Sequence, residues 1–333
     1  MNDIPCLKVE KKEGELTRKK LVELNLLDNN YTIKSDSSYI YFPLSTADHP
    51  YLKGKEVVMA QVKPRERRPR TIAQSLGIRE IRSFDIIGDI AIIEIPDSLK
   101  SREKEIGSEI LRLHKNVRAV FAKDSGIAGE YRVRGLRHLA GEHRTETVHK
   151  ERKCRFKVDV SKVYFSPRLS HERERILKQV RDGEHILALF SGVAPFPIII
   201  AKERSILVYS IELNPEGHKY AVENVKLNKV EGKVIPVQGD VKEVLKDKKF
   251  NDWADRIIMP LPKDALAFLP YVSHTAKNGC IIHVYGFAQK GAVKQLCDEA
   301  LSLLGRPAEI IYTRRVRTYS PDTDQYVIDI KVI

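Results

Sequence analysis

The hydrophobic positions change rhythm along the chain, and the changes divide it into parts. Over residues 1–62 they are sparse. Leu21, Leu24 and Leu27 recur at helical spacing after Thr17 and predict a helix within Leu16–Leu27, while Tyr39–Leu44 (YIYFPL) and Glu56–Val62 (EVVMAQV) read as short strands. Residues 63–77 (KPRERRPRTIAQSLG) break the pattern with prolines and the basic residues Lys63, Arg65, Arg67, Arg68 and Arg70, and read as a linker. Those charges suit a solvated connector and a phosphate-contacting segment equally. Residues 78–171 form an α+β segment. It has a strand over Ile86–Ile95 with a Gly-Asp turn near its start, a helix over Glu103–Leu113, and further strands in Val117–Ala122, Tyr131–Val133 and Thr147–Phe165. From 172 to 333 the pattern becomes regular. A helix over Glu172–Val180 leads into apolar strands (HILALFSG, SILVYSIEL, KVIPVQGD, DRIIMPLP, CIIHVYGF) that alternate with amphipathic helices such as Pro215–Leu227. That alternation predicts a parallel, doubly wound α/β sheet. The last two strands, EIIYTRRVRTYS and QYVIDIKVI, face each other across residues 321–324 and predict an antiparallel hairpin at its edge.

Composition adds two constraints. With 333 residues, 42% of them hydrophobic, the chain is long and apolar enough for several folded domains. Lys and Arg number 58 against 45 Asp and Glu, a net charge of +13 that favours a polyanionic partner, nucleic acid ahead of an anionic membrane surface. There is no apolar run of the roughly 18 residues a membrane span needs, and MNDIPCLKVEKKEG lacks the basic-then-apolar order of a signal sequence, so a cytoplasmic protein is expected. Cys6, Cys154, Cys280 and Cys297 are scattered, with no His or Cys at ligand spacing. Neither a disulfide framework nor a metal site is expected. The cluster His138, His143 and His149 is read as strand and turn residues, and Trp253 and Tyr285 as core packing.

A parallel α/β sheet binds its ligands at the carboxyl ends of its strands. Here the first strand of the 172–333 segment ends in Phe190-Ser191-Gly192-Val193-Ala194-Pro195-Phe196, and the second in Ile211-Glu212-Leu213-Asn214. Glu212 lies 20 positions after Gly192, the interval that sets a carboxylate against a ribose diol. A dinucleotide would need several glycines and a run of amide donors for its pyrophosphate. This chain has one glycine followed by Pro195 and Pro197, which have no amide hydrogen. A nucleoside without phosphates, S-adenosylmethionine, fits better. Asp240, at the end of the third strand, can meet an adenine amino group, and Met259-Pro260-Leu261-Pro262 ends the fourth beside a transferable methyl. Any one acid at a strand end is equally a turn former or helix cap. Their registration across four strands is what favours a cofactor site. The antiparallel final pair is also that of the usual methyltransferase sheet.

The stretch Tyr131–Arg173, with RVR-x-L-x-HLAGE and VYFSPRL-x-x-ER, followed by FSGVAPFP, resembles the archaeal and eukaryotic tRNA (guanine-37-N1) methyltransferases over essentially the whole chain. The resemblance implies a C-terminal class I (Rossmann-like) methyltransferase domain preceded by two smaller RNA-binding domains. The N-terminal one contacts the tRNA elbow, and the others grip the anticodon stem-loop. It implies a monomer with no obligate protein partner. Residue by residue, it implies Glu172 as general base and Arg132 as the arginine that holds the guanine O6. It further implies Tyr164, Phe165, Arg173, Glu212, Leu213, Asp240 and Val241 along the cofactor, with Gly192 and Pro260 beside it. Arg134, which shares a strand face with Arg132, together with Tyr164, Pro260, Leu261 and Pro262, is expected on the substrate side. By residue type alone Glu172 is more often a carboxylate at a helix N-terminus, and Arg132 and Arg134 a solvated strand face.

The chain departs from that family in three places. Met259-Pro260-Leu261-Pro262 stands where Asn-(Leu or Pro)-Pro is usual, Ala194 where a glycine is common, and Glu212 in place of Asp. A site without the Asn amide is either weakened or widened. The widened form suits members that also methylate C7 of the tricyclic wyosine precursor, 4-demethylwyosine. The alternative of a different class is an RNA-binding protein with a decayed methyltransferase fold, against which the retention of Arg132, Glu172, Glu212 and Asp240 counts.

Overall fold

The computed structural model describes residues 2–65, 71–81, 83–124, 135–261 and 263–333. The chain divides into two compact units, residues 1–70 and 71–333.

In the first unit β1 (Asn2–Glu10), α1 (Gly14–Glu23), β2 (Lys34–Ser35), β3 (Tyr39–Pro43) and β4 (Val57–Val62) form an antiparallel sheet ordered β2-β3-β1-β4. The strand at its centre, β1, is absent from the sequence reading. Its neighbours Cys6 and Leu7 are both fully buried, in the separate apolar clusters on the two faces, so the strand shows no alternation.

The second unit begins earlier than the expected end of the 63–77 linker. Residues 72–76 form a short helix, α2 (Ile72–Leu76), and Ile72 is buried. The expected single strand over Ile86–Ile95 is a hairpin, β5 (Asp85–Ile87) and β6 (Ile90–Ile93), with Gly88-Asp89 as its loop. Gly88 has φ +58°, and a Cβ there would strike Thr147, so only glycine fits. Helix α3 (Glu103–Leu113) carries the chain across to β7 (Ala119–Lys123), parallel to β6, and β8 (Leu136–Gly141) completes a sheet ordered β5-β6-β7-β8. The strand expected at Tyr131–Val133 lies outside the described residues.

The hairpin β9 (Glu146–Glu151) and β10 (Cys154–Asp159) joins this sheet to the larger one. Cys154, Phe156 and Val158 belong to the same core as Ile90 and Phe121 on one side and Ile176, Ile186 and Val208 on the other. Helix α4 (Ser170–Gln179) follows, so the boundary expected at 171/172 falls inside a helix. Beyond it run β11 (His185–Leu189), α5 (Pro195–Glu203), β12 (Leu207–Glu212), α6 (Pro215–Asn228), β13 (Val234–Gln238), α7 (Val241–Val244), β14 (Ala254–Met259), α8 (Leu269–Val272), β15 (Ala276–Gln289), α9 (Val293–Leu304), β16 (Ala308–Ser320) and β17 (Thr323–Val332). They build a seven-stranded sheet ordered β13-β12-β11-β14-β15-β17-β16, in which β11–β15 pair in parallel and β17 is antiparallel to both neighbours.

Two asparagines one turn apart on α6 dock the hairpin. Asn224 accepts from the Lys157 amide at 2.7 Å and donates to its carbonyl at 3.1 Å, and Asn228 does the same for Arg155 at 2.9 and 2.7 Å. The helix thus supplies the hydrogen bonds that a neighbouring strand would give the β10 edge. The four cysteines are buried free thiols. Burial pushes Cys154 up to about 11 and Cys280 up to about 12. No described helix is long and apolar enough to cross a membrane.

Candidate active site

At the carboxyl ends of β11, β12, β13 and β14 lies a cavity of 1520 Å³. Small-molecule sites run to roughly 300–1,000 Å³, so this one has room for a second reactant beside a nucleoside. Of the residues singled out in the sequence, Tyr164, Phe165, Arg173, Gly192, Glu212, Leu213, Asp240, Val241, Pro260 and Leu261 line it. Arg132, Arg134 and Pro262 lie outside the described residues.

The loop after β11 is unusual. Phe190, Gly192 and Ala194 all take left-handed backbone conformations, with φ of 53°, 56° and 63°. The left-handed state is strained for a residue with a Cβ, and glycine would take it at position 194 without that penalty. Helix α5 then starts at Pro195, and of its first three residues only Phe196 carries an amide hydrogen. Such an N-terminus offers little to a pyrophosphate and suits a phosphate-free nucleoside.

Glu212 closes β12 beneath this loop. Its Oε2 accepts from the Gly192 amide at 2.6 Å and its Oε1 from the Asn214 amide at 2.8 Å. Each oxygen keeps a second lone pair for a ribose hydroxyl. Gly217 leaves the room the side chain needs: a Cβ there would sit 3.0 Å from Glu212 Cγ. Burial pushes the Glu212 carboxyl up, and the amides of Asn214, Gly192 and Leu213 partly offset it. Asp240 caps α7 through the Lys242 amide at 2.8 Å, so the helix-cap and cavity readings both hold for it.

Arg173 lines the cavity, but its guanidinium is committed to the protein. It makes two bonds to Glu151 at 2.8 and 2.6 Å and one to the Ser166 carbonyl at 3.2 Å, and it lies over the Phe165 and Phe196 rings. It braces the segment carrying Tyr164 and Phe165, and its charge is not offered to a ligand.

Glu172 does not line the cavity. It is 1% exposed, with Oε2 accepting from Tyr285 Oη at 2.8 Å and Arg175 Nε at 3.0 Å, and Oε1 accepting from Arg314. Strand register explains the arrangement. Tyr285, Val327 and Arg314 are cross-strand partners in one row, and His283, Asp329 and Tyr312 form the next row on the same face. Helix α4 lays Glu172, Arg175 and Gln179 over both rows, at i, i+3 and i+7. Arg175 binds Asp329 at 2.5 and 3.1 Å, His283 Nδ1 meets Asp329 at 2.6 Å, and Arg256 donates to His283 Nε2 at 2.7 Å. Since the guanidinium has no acceptor, His283 is the neutral Nδ1–H tautomer. Burial pushes its titration down despite Asp329. Burial opposes the Asp329 charge as well, but His283 and Arg175 outweigh it and hold that carboxyl below the usual range.

His283 and Tyr285 are therefore buried behind the cavity, as the core-packing reading of Tyr285 expects. Trp253 stacks on His185 with ring centroids 4.8 Å apart. His149 accepts from the Gly88 amide at 3.1 Å. No group of metal-binding side chains occurs among the described residues.

A doubly wound sheet closed by an antiparallel pair, with an acid under a strained loop and a nucleoside-sized cavity beside it, defines a Rossmann-like methyltransferase. The TRM5/TYW2 methyltransferase domain matches residues 147–309, the tRNA methyltransferase 5 N-terminal domain residues 6–50, and the TYW2 N-terminal domain residues 72–145. The chain is 43% identical to the tRNA (guanine(37)-N(1))-methyltransferase Trm5b of Pyrococcus abyssi over 98% of each chain. It is 38% identical to the tRNA (guanine(37)-N(1))/4-demethylwyosine(37)-methyltransferase Taw22 of Nanoarchaeum equitans, over 68% of this chain and 91% of that one. Among solved structures, the complex of aTrm5 and tRNALeu gives a TM-score of 0.79 at 34% identity, over 98% and 99% of the two chains. Methanocaldococcus jannaschii TYW2 in complex with AdoMet gives 0.54 at 26%, over 75% of this chain and all of that one. The chain belongs to the TRM5/TYW2 family of methyltransferases.

Proposed function

We propose that the protein methylates N1 of guanosine 37 in tRNA, using S-adenosylmethionine. The observation that carries this reading is the cavity, which holds Glu212 and Asp240 at adjacent strand ends and has volume left for a base. Membership of the family and the net charge of +13 supply the tRNA. The cofactor brings a methyl group on a sulfonium. Glu212 accepts from the ribose hydroxyls, Asp240 faces the adenine, and Pro260 and Leu261 bound the space beside the methyl.

Guanine N1 carries a proton at neutral pH and is a poor nucleophile until it is lost. Glu172 takes that proton as the N1–C bond forms and the C–S bond breaks, and Arg132 stabilises the negative charge that grows on O6. The first unit and the basic residues of 63–70 serve tRNA contact. Labelled methyl transfer to a tRNA with G at position 37, and none to the same tRNA with A there, is the expected outcome. Equal transfer to both, or none to either, would sink the proposal. In the second case, retained cofactor binding favours the decayed RNA-binding protein.

A second reading rests on Pro260 and Leu261 at the cavity wall, where the family usually has an Asn amide. Without that group the wall is apolar and leaves room for a tricycle, so the same protein also methylates C7 of 4-demethylwyosine. A tRNA bearing the tricycle should accept label at C7. If it accepts none while the G37 tRNA does, the enzyme acts on guanine alone.

A further inference from the structure

The two oxygens of Glu172 are held very differently. Oε2 is fixed by Tyr285 and Arg175, both on the buried side, and Arg175 is itself anchored by Asp329. The sole partner of Oε1 among the described residues is Arg314, whose side chain is 43% exposed on the edge strand β16. Arg314 has no other partner among the described residues.

The sheet rows give the direction. Beyond the row of Tyr285 and Arg314, the next row on the same face is Phe287, Gln325 and Arg317, and Phe287 and Arg317 line the cavity. One row is two residues of strand, roughly 7 Å. Oε1 thus sits one row behind the cavity wall, covered by an exposed guanidinium. Oε1 can meet another partner only when Arg314 leaves it.

We propose that Arg314 is a positioning residue that covers Glu172 Oε1 in the RNA-free protein and exchanges it for a backbone phosphate of the bound RNA. This rests on the methyltransferase reading above. The proton acceptor is then Oε1, and it becomes available only when the RNA is seated. Oε2 stays with Tyr285 and Arg175 throughout and keeps the carboxylate aimed.

The test uses the full chain with the G37 tRNA and compares wild type, Arg314→Ala and Arg314→Lys. If a phosphate replaces Glu172 as the partner of Arg314, Arg314→Ala reduces the slope of log binding constant against log salt by about 0.7–0.9. It also weakens kcat/KM about three- to tenfold, nearly all through KM, because Arg314 is no longer on Glu172 in the complex. Arg314→Lys keeps a point charge for the phosphate and restores most of the slope. An unchanged salt slope overturns the proposal. So does a loss of ten- to a hundredfold in the single-turnover rate at saturating tRNA, which would mean that Arg314 acts on Glu172 in the complex. A wild type that fails to methylate the G37 tRNA fails the reading beneath. An active wild type with an unaltered Arg314→Ala variant fails only the role of Arg314.

Discussion

At the scale of single residues, Glu212 and Ala194 make the clearest predictions. Replacing Glu212 by Gln turns one of the two proposed acceptors for the ribose diol into a donor and removes the charge from the other, each hydrogen bond to a charged group being worth about 1.5–3 kcal/mol. Glu212→Gln should weaken S-adenosylmethionine roughly ten- to a hundredfold in a calorimetric titration, and should lower the thermal midpoint as well, since its NH2 group then faces the Gly192 or the Asn214 amide. Because burial raises this carboxyl, it protonates at a higher pH than an ordinary Glu. Cofactor affinity should therefore fall on acidification in the wild type, and should vary little over the same range in Glu212→Gln. Ala194 is buried in the left-handed region with φ +63°. Replacing it by glycine should raise stability by ~1 kcal/mol in denaturant melts, since relief of the Cβ clash outweighs the added freedom of the unfolded chain.

At the scale of elements, the docking of β9–β10 by α6 rests on two side-chain amides. Asn224→Ala leaves the Lys157 amide and carbonyl without partners in a buried seam. Each orphaned group costs roughly 1–3 kcal/mol, so the variant should lose about 2–4 kcal/mol in chemical denaturation. Asn224→Asp keeps the acceptor but sets a buried carboxylate oxygen against the Lys157 and Val193 carbonyls, and should lose at least as much. None of this was visible in the linear sequence, where two polar residues at i and i+4 look like a solvated helix face. The parallel strands β11–β14 were legible because each is an apolar run closed by turn chemistry at its carboxyl end. β8 was not, since in LRHLAG only Leu139 is deeply buried. The cofactor ends of the strands followed from topology alone. The buried chain of Arg256, His283, Asp329 and Arg175 did not, because it depends on the register of strands up to 154 residues from α4. Its one trace is a pair of isolated polar residues, His283 in CIIHVYGF and Asp329 in QYVIDIKVI, within otherwise apolar strands.

At the scale of the whole molecule, charge and catalysis separate. With a net charge of +13, tRNA association should lose at least about tenfold between 50 and 200 mM salt. S-adenosylmethionine, which in the proposed site meets two carboxylates and otherwise neutral groups, should bind almost unchanged over that range. Filter binding and calorimetry on one preparation would separate the two. The resemblance to tRNA methyltransferases was legible because its motifs run through a continuous stretch. The position of Glu172 behind the cavity wall was not, because it is created by the pairing of β15, β16 and β17. What decides the chemistry is whether this buried carboxylate takes the N1 proton. The most direct measurement is the single-turnover formation of N1-methylguanosine at position 37 by wild type and Glu172→Gln, with nucleosides separated and both ligands saturating. A drop of about a hundredfold or more in the variant, with cofactor and tRNA affinities within about threefold of wild type, is the expected result. A variant that forms N1-methylguanosine at the wild-type rate, or a wild type whose label appears in another nucleoside, would contradict it.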